Sequence, residues 1–338
     1  MENAPYGKII AGSGEAVRRA YDSFLTQPVD QVVGTGQGDL EDERQCTIAR
    51  PVSVTGPGTF FRRAARTLIF EPAAEQGWWF ERTDLPRDLP TAVSVRNVWT
   101  TARNIVLRSG SPHNYMRMVE HIIALKLGLG IDNLLIKAAS GDPPLFDRGS
   151  MDIVEALESA GTREQKAPVA YVTVKETVTI GGENGGFLTF IPHAGAARKL
   201  TMDCAIDFKN AIGKQRVQFD LTKKLFRAKA LARTNTTTAM KLYCLTVGQL
   251  FADIRNMGYT SRNILIAGKK RYLNAPRLMQ NGKSLEAVWH RAVMDLLAAV
   301  ALIDRGRFIG RINSYKSGHA LDADMVRLLY KHDLLTPV

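Results

Sequence analysis

The side chains best suited to hydrolytic chemistry in this 338-residue sequence are an adjacent glutamate and histidine, Glu120–His121, inside RMVEHIIAL. A second pair, His290 and Asp295, lies in EAVWHRAVMDLLAA, and a third histidine, His319, sits in YKSGHAL. Two imidazoles and a carboxylate are a common ligand set for zinc, with a fourth position left for water. Such an ion lowers the pKa of its water to about 7, and a neighbouring glutamate can take the proton. The same residues also have an ordinary reading. A helical histidine beside an apolar stripe is more often a satisfied core or boundary residue than a ligand, and short motifs arise readily by chance.

The elements that must position these groups come next. Tyr115–Leu127 has the apolar spacing of a buried helix and would carry Glu120 and His121, with GLGIDNLLIKA (128–138) turning out of it into a strand. Leu285–Ile303 has the clearest helical pattern and would carry His290 and Asp295. FIGRINSYKSGHAL (308–321) reads as a strand running into a loop that holds His319, before a last helix at Asp324–Lys331. Further strands are expected at Thr67–Phe70, Gly77–Arg82, 169–180, 187–191 and 199–208. Further helices are expected at Glu15–Leu25, Asp152–Ala160, Leu221–Ala232 and Thr246–Met257, with Thr162–Pro168 as a polar linker. Each half gives strands, helix, strand, helix. That order predicts an α+β fold of two similar domains, each a β-sheet layered with two α-helices, packed with the active site between them. The expected division is an N-terminal extension over 1–45, a first domain over 46–162 and a second over 163–338. The first domain would contribute Glu120 and His121, and the second His290, Asp295 and His319.

Composition bounds the rest. Hydrophobic residues at 45% with 23% charged are ordinary for a globular chain. No apolar run approaches the ~18 residues of a membrane span, and the start lacks a secretory pattern. Cys46, Cys204 and Cys244 form neither CxxC nor a disulfide framework, which suits a reducing cytoplasm. The net charge of +12 favours anionic partners, either a phosphorylated small molecule or the surface of an acidic membrane. Arg62, Arg63 and Arg66, then Lys223, Lys224 and Arg227, then Lys269, Lys270 and Arg271 form its clusters. No nucleic-acid signature accompanies them, so nucleic acid is not an expected partner.

Several segments in order give the chain a family resemblance. FERTDL (80–85), SVRNV (94–98), VEHIIALKLGLGIDN (119–133), PPLFDRGS (143–150), VKETV (174–178), IDF (206–208), ARTN (232–235) and YKSGHAL (315–321) are similar in sequence and spacing to motifs of the UDP-3-O-acyl-N-acetylglucosamine deacetylases. TGPG (55–58) resembles an early glycine turn of that family. The resemblance implies one zinc ion per chain, bound between the two domains of a monomer that hydrolyses an N-acyl amide. By position it implies His121, His290 and Asp295 as metal ligands and Glu120 as general base. His319 would protonate the leaving amine or stabilise the oxyanion, Thr234 would face the developing oxyanion, and Lys175 and Arg291 would contact substrate. The expected substrate is a small anionic N-acyl molecule, an amino sugar or a related metabolite, nucleotide-linked in the family.

The departures from that pattern fall at the site. The family places its second histidine and its aspartate four residues apart, whereas His290 and Asp295 are five apart. At about 100° per residue, a regular helix turns Asp295 about 140° away from His290. A single π-turn would restore the register; without it Met294 faces the metal, and a thioether is a poor zinc ligand. Ala299 stands where the family keeps an aspartate against the catalytic histidine, which predicts a lowered pKa for His319. Arg291 replaces a lysine, Asn235 a phenylalanine, and Phe60–Phe61–Arg62 an HTG sequence. PPLFDRGS gains Arg148, and TSRNILIAGKK (260–270) has fewer glycines and more charge than its counterpart. Beside the hydrolase stand two other readings: a degenerate paralogue binding an anionic ligand or protein partner, and altered chemistry in specialised metabolism.

Overall fold

Runs of β-branched and aromatic residues build two large sheets and several small ones, in a computed structural model that describes residues 4–34, 43–237 and 258–338. The first sheet has five strands in the order Val52–Pro57, Ala65–Pro72, Leu134–Ala138, Trp78–Arg82 and Thr91–Ala92. Leu134–Ala138 runs antiparallel to Ala65–Pro72 and parallel to Trp78–Arg82. The second has seven, in the order Lys8–Ala11, Val178–Gly181, Phe187–Ile191, Gly310–Tyr315, Leu200–Asp207, Lys214–Asp220 and Gln31–Val33. The fold is α+β, as the sequence predicts.

Six helices of the described residues complete the layers: α1 (Gly14–Thr26), α2 (Glu120–Gly128), α3 (Met151–Ala160), α4 (Lys223–Lys229), α5 and α6 (His319–Lys331). Helix α5 is composite, with an α-turn at Glu286–His290, a π-turn at Arg291–Leu296 and an α-turn at Leu297–Ala301. Helices α2 and α5 are apolar nearly all round and pack against each other inside the core. A helix without a polar face has no stable place on a surface. Helix α1 is the opposite case. Val17, Ala20, Tyr21 and Phe24 recur at helical spacing and are buried, while Ser13 caps the N-terminus by accepting from the Ala16 amide.

Residues 8–33 are integral to the second sheet. Lys8–Ala11 pairs with Val178–Gly181 at one edge, Gln31–Val33 pairs with Lys214–Asp220 at the other, and α1 connects them. Thr162–Pro168, expected as a linker, is a strand antiparallel to Arg44–Ile48. The expected strand over 169–180 is two, Tyr171–Val174 and Val178–Gly181, in different sheets. The helix expected from Tyr115 begins only at Glu120, because Tyr115–Met116 pairs with Val106–Arg108 and Met118 has a positive φ of 51°. The helix expected at Thr246–Met257 and Cys244 lie outside the described residues. Among those described, Cys46 and Cys204 are free thiols, and no helix is long and apolar enough to cross a membrane.

Gly128 at the end of α2 shows how closely the helices are packed. A Cβ placed there would sit 2.4 Å from carbons of the Phe226 ring in α4. Alanine in a helix gains at most about 1 kcal/mol over glycine, whereas overpacking costs about 1–3 kcal/mol. Gly128→Ala is therefore expected to destabilise the protein. The check is a lower urea midpoint than wild type, and an unchanged or raised midpoint would contradict this packing.

Candidate metal and catalytic site

The sequence-predicted residues meet where the N-terminus of α2 reaches α5 and the start of α6. Glu120 and His121 are the first two residues of α2, entered through the left-handed Met118. His290 ends the first turn of α5, and the π-turn that follows carries Asp295. The extra residue in that turn brings Asp295 back to the side of His290, with Asp295 Oδ1 3.6 Å from His290 Nδ1. Met294 turns into the core instead, with Sδ 3.3 Å from Ser150 Oγ, which also donates to the His121 carbonyl at 2.9 Å. His319 is the first residue of α6 rather than a loop residue. Its Nε2 lies 3.7 Å from Asp295 Oδ1 and 4.0 Å from Glu120 Oε1.

The two other histidines converge on one hydroxyl. Thr234 Oγ1 is 3.3 Å from His121 Nε2 and 3.0 Å from His290 Nε2, and the ring centres are 5.1 Å apart. Thr234 opens the strand Thr234–Thr237, parallel to Ile264–Ala267. It is held in place through its neighbour. Glu286 is fully buried one turn before His290, and its Oε1 accepts from the Arg233 amide at 3.1 Å and from Arg233 Nε at 2.7 Å. Glu286 Oε2 accepts from the Arg277 amide at 2.6 Å. One carboxylate thus ties α5 to the strand that carries Thr234.

Burial and neighbouring charge set the protonation states. Burial, reinforced by His290, pushes the His121 pKa down to about 3, so its ring is neutral and free to act as a ligand. Burial also opposes charge on Asp295, but His290, His319 and Arg291 outweigh it and hold this carboxyl well below the usual range. Burial raises the Glu120 pKa above that of an ordinary glutamate, partly offset by His319. His319 contradicts the expectation drawn from Ala299. Burial disfavours its charge, yet Asp295, Glu120 and Asp322 together raise its pKa. Asp322 lies three residues along the same helix and supplies negative charge that Ala299 does not.

Two expected substrate contacts are placed otherwise. Arg291 is buried, and its guanidinium donates to Asp322 Oδ1 at 2.5 Å and Ser317 Oγ at 2.7 Å. Lys175 is half-exposed and pairs with Asp333 at 2.7 Å. Sequence reasoning missed Glu286, Asp322 and Ser150. Helical spacing could have found the first two, since Glu286 precedes His290 by four residues and Asp322 follows His319 by three.

The donor chemistry suits a divalent ion. The neutral ring of His121 and the ring of His290 aim Nε2 atoms at one point, and the ionised Asp295 has a buried Oδ1 without a hydrogen-bond partner. Asp295, however, faces Nδ1 of His290 rather than Nε2. Among the described residues no three His, Cys, Asp or Glu side chains are already grouped to hold an ion.

Two histidines facing one hydroxyl, a buried glutamate and a third histidine whose pKa is raised thus gather at the ends of three helices. A family model described as UDP-3-O-acyl N-acetylglycosamine deacetylase matches residues 45–331. Proteins named UDP-3-O-acyl-N-acetylglucosamine deacetylase from Brucella ovis and Brucella abortus are 29% identical over 287 residues, 84% of this chain and 94% of theirs. One from Brucella melitensis is similar to the same extent. The chain belongs to the UDP-3-O-acyl-N-acetylglucosamine deacetylase family.

The Glu286 tie makes a stability prediction. Glu286→Ala leaves the Arg233 guanidinium buried without its counter-charge, which typically costs about 3–5 kcal/mol. Chemical denaturation should register a loss of that order, and a loss below about 1 kcal/mol would show that the pair does not anchor the strand.

Proposed function

We propose that this chain is a zinc-dependent amide hydrolase that removes the acyl group from an N-acyl amino sugar or related N-acyl metabolite, linked to a nucleotide. The observation that carries the reading is the shared focus of His121 Nε2 and His290 Nε2 on Thr234, with Glu120, Asp295 and His319 in the same cluster. His121, His290 and Asp295 would hold the ion. When bound, it supplies a Lewis acid for the acyl oxygen and lowers the pKa of a water.

The chain's own residues do the rest. Glu120 accepts a proton from the attacking water, and its raised pKa places it nearer the working range of a general base. The Thr234 hydroxyl donates towards the oxygen on which charge develops. His319, whose pKa the surrounding carboxylates raise against the effect of burial, delivers a proton to the departing amine as the carbon–nitrogen bond breaks. Arg291 acts at one remove by fixing Asp322 beside His319. Lys175 meets the anionic part of the substrate once it leaves Asp333. The net charge of +12 supports an anionic substrate and peripheral contact with an anionic membrane surface. We place the protein in the cytoplasm as a monomer, divided near residues 45 and 162.

A second reading is a paralogue that binds an anionic ligand or protein partner without hydrolysis. It is favoured by the absence, among the described residues, of three donors already grouped for a metal.

Two experiments separate these readings. Elemental analysis of protein made with added zinc should find about one zinc per chain, lost in the His121→Ala/His290→Ala double variant. Protein that takes up no metal would remove the hydrolase and leave the binding reading. Glu120→Ala should cut turnover of UDP-linked N-acyl amino sugars by at least 10²-fold with folding intact, the usual scale of a lost acid–base group. Unchanged turnover would reassign the base.

A further inference from the structure

One basic cluster from the sequence has no part in the site. Lys269, Lys270 and Arg271 form the turn that leaves the strand Ile264–Ala267, and all three are exposed. Gly268 closes the turn by donating to the Arg271 carbonyl at 2.9 Å. A second turn, between Leu200–Asp207 and Lys214–Asp220, carries the exposed Lys209 and Lys214. The two are joined by a hydrogen bond from the Ala211 amide to the Gly268 carbonyl at 3.0 Å. Five cations therefore occupy one corner of the molecule, and none has an ion-pair partner among the described residues. Across 207–214 and 267–274 the one acidic residue is Asp207, which lies against the Tyr315 hydroxyl. Two large apolar side chains stand exposed in the same corner, Phe208 at 38% and Leu273 at 50%.

We infer that this corner is a docking surface for an anionic lipid bilayer. Clustered lysine and arginine are drawn to the negative potential of such a surface within about a Debye length of it. Phe208 and Leu273 would enter the headgroup boundary, an apolar contribution that a nucleic-acid backbone would not reward. That combination favours lipid over nucleic acid as the occupant. The inference deepens the proposed peripheral membrane contact and is independent of the hydrolytic chemistry.

The corner also connects to the site. Thr234 pairs with Ile264 at one end of the two-stranded ribbon, and Ala267 leads into the basic turn at the other. At about 3.3 Å per residue, the ribbon spans only about 10 Å. Docking through the turn would hold Thr234 and its histidines close to the lipid surface, where an acylated substrate partitions.

Co-sedimentation of the full chain with phosphatidylcholine vesicles containing about a third phosphatidylserine tests this directly. Wild type should bind these vesicles, leave pure phosphatidylcholine in the supernatant, and bind more weakly as salt is raised. Each cation near such a surface is worth on the order of fivefold, so Lys269→Gln/Lys270→Gln/Arg271→Gln should bind roughly 100-fold more weakly. Leu273→Ser keeps the charge and should still lose several-fold. Arg62→Gln/Arg63→Gln, which thins another basic cluster, should bind as wild type, and circular dichroism confirms the fold of every variant. Equal binding to neutral vesicles, or no loss in the triple variant, would overturn the proposal. So would Leu273→Ser binding unchanged while duplex DNA competes the protein off the vesicles, which would mark the corner as a nucleic-acid surface. Zinc content and turnover in the triple variant should match wild type in detergent-dispersed assays, so failure here and failure of the hydrolase reading are distinguishable.

Discussion

The contact between α2 and α5 governs the geometry of the site. Both helices are buried on almost every face, so neither can shift without opening voids in a close-packed interior. Their separation fixes how far His121 stands from His290, and Thr234 sits in the gap. The π-turn in α5 adjusts that arrangement by a single residue. It sends Met294 into the core beside Ser150 and leaves Asp295 on the polar side. A packing requirement and a chemical one are met by the same irregular turn.

Arginine accounts for much of the internal bracing. Arg216 forks onto Asp203, Arg233 onto Glu286 and Arg307 onto Asp132, while Arg291 donates through one nitrogen to Asp322, all with the guanidinium buried. Asp132, from GLGIDN, also accepts from the Cys46 amide at 2.8 Å, so it ties the start of the first half to the strand region near residue 307. A planar five-donor fork can satisfy a carboxylate and nearby carbonyls together, which a lysine cannot. Part of the high positive charge is thus neutralised inside the protein.

The fold class and the gathering of Glu120, His121, His290, Asp295 and His319 were legible because the motifs carry type, order and spacing together. What stayed hidden depends on partners distant in sequence. Thr162–Pro168 reads as a linker by its polarity, yet its backbone pairs with Arg44–Ile48, and Gln165 donates to the Ala73 carbonyl. The late start of α2 follows from one positive φ at Met118, a residue with no preference for it. The charge state of His319 could not be inferred from Ala299 alone, because three carboxylates from three helices decide it.

The placement of residues 8–33 matters to anyone trimming this protein. The family match begins at residue 45, which invites removal of everything before it. That cut would strip the flanking strands from Val178–Gly181 and from Lys214–Asp220 together, leaving two raw margins of unsatisfied peptide groups. Phe187 and Tyr315 would lose the aromatic cover of Tyr21 and Phe24 at the same stroke. A shortened version would be a self-adhesive molecule, prone to stack with its own kind.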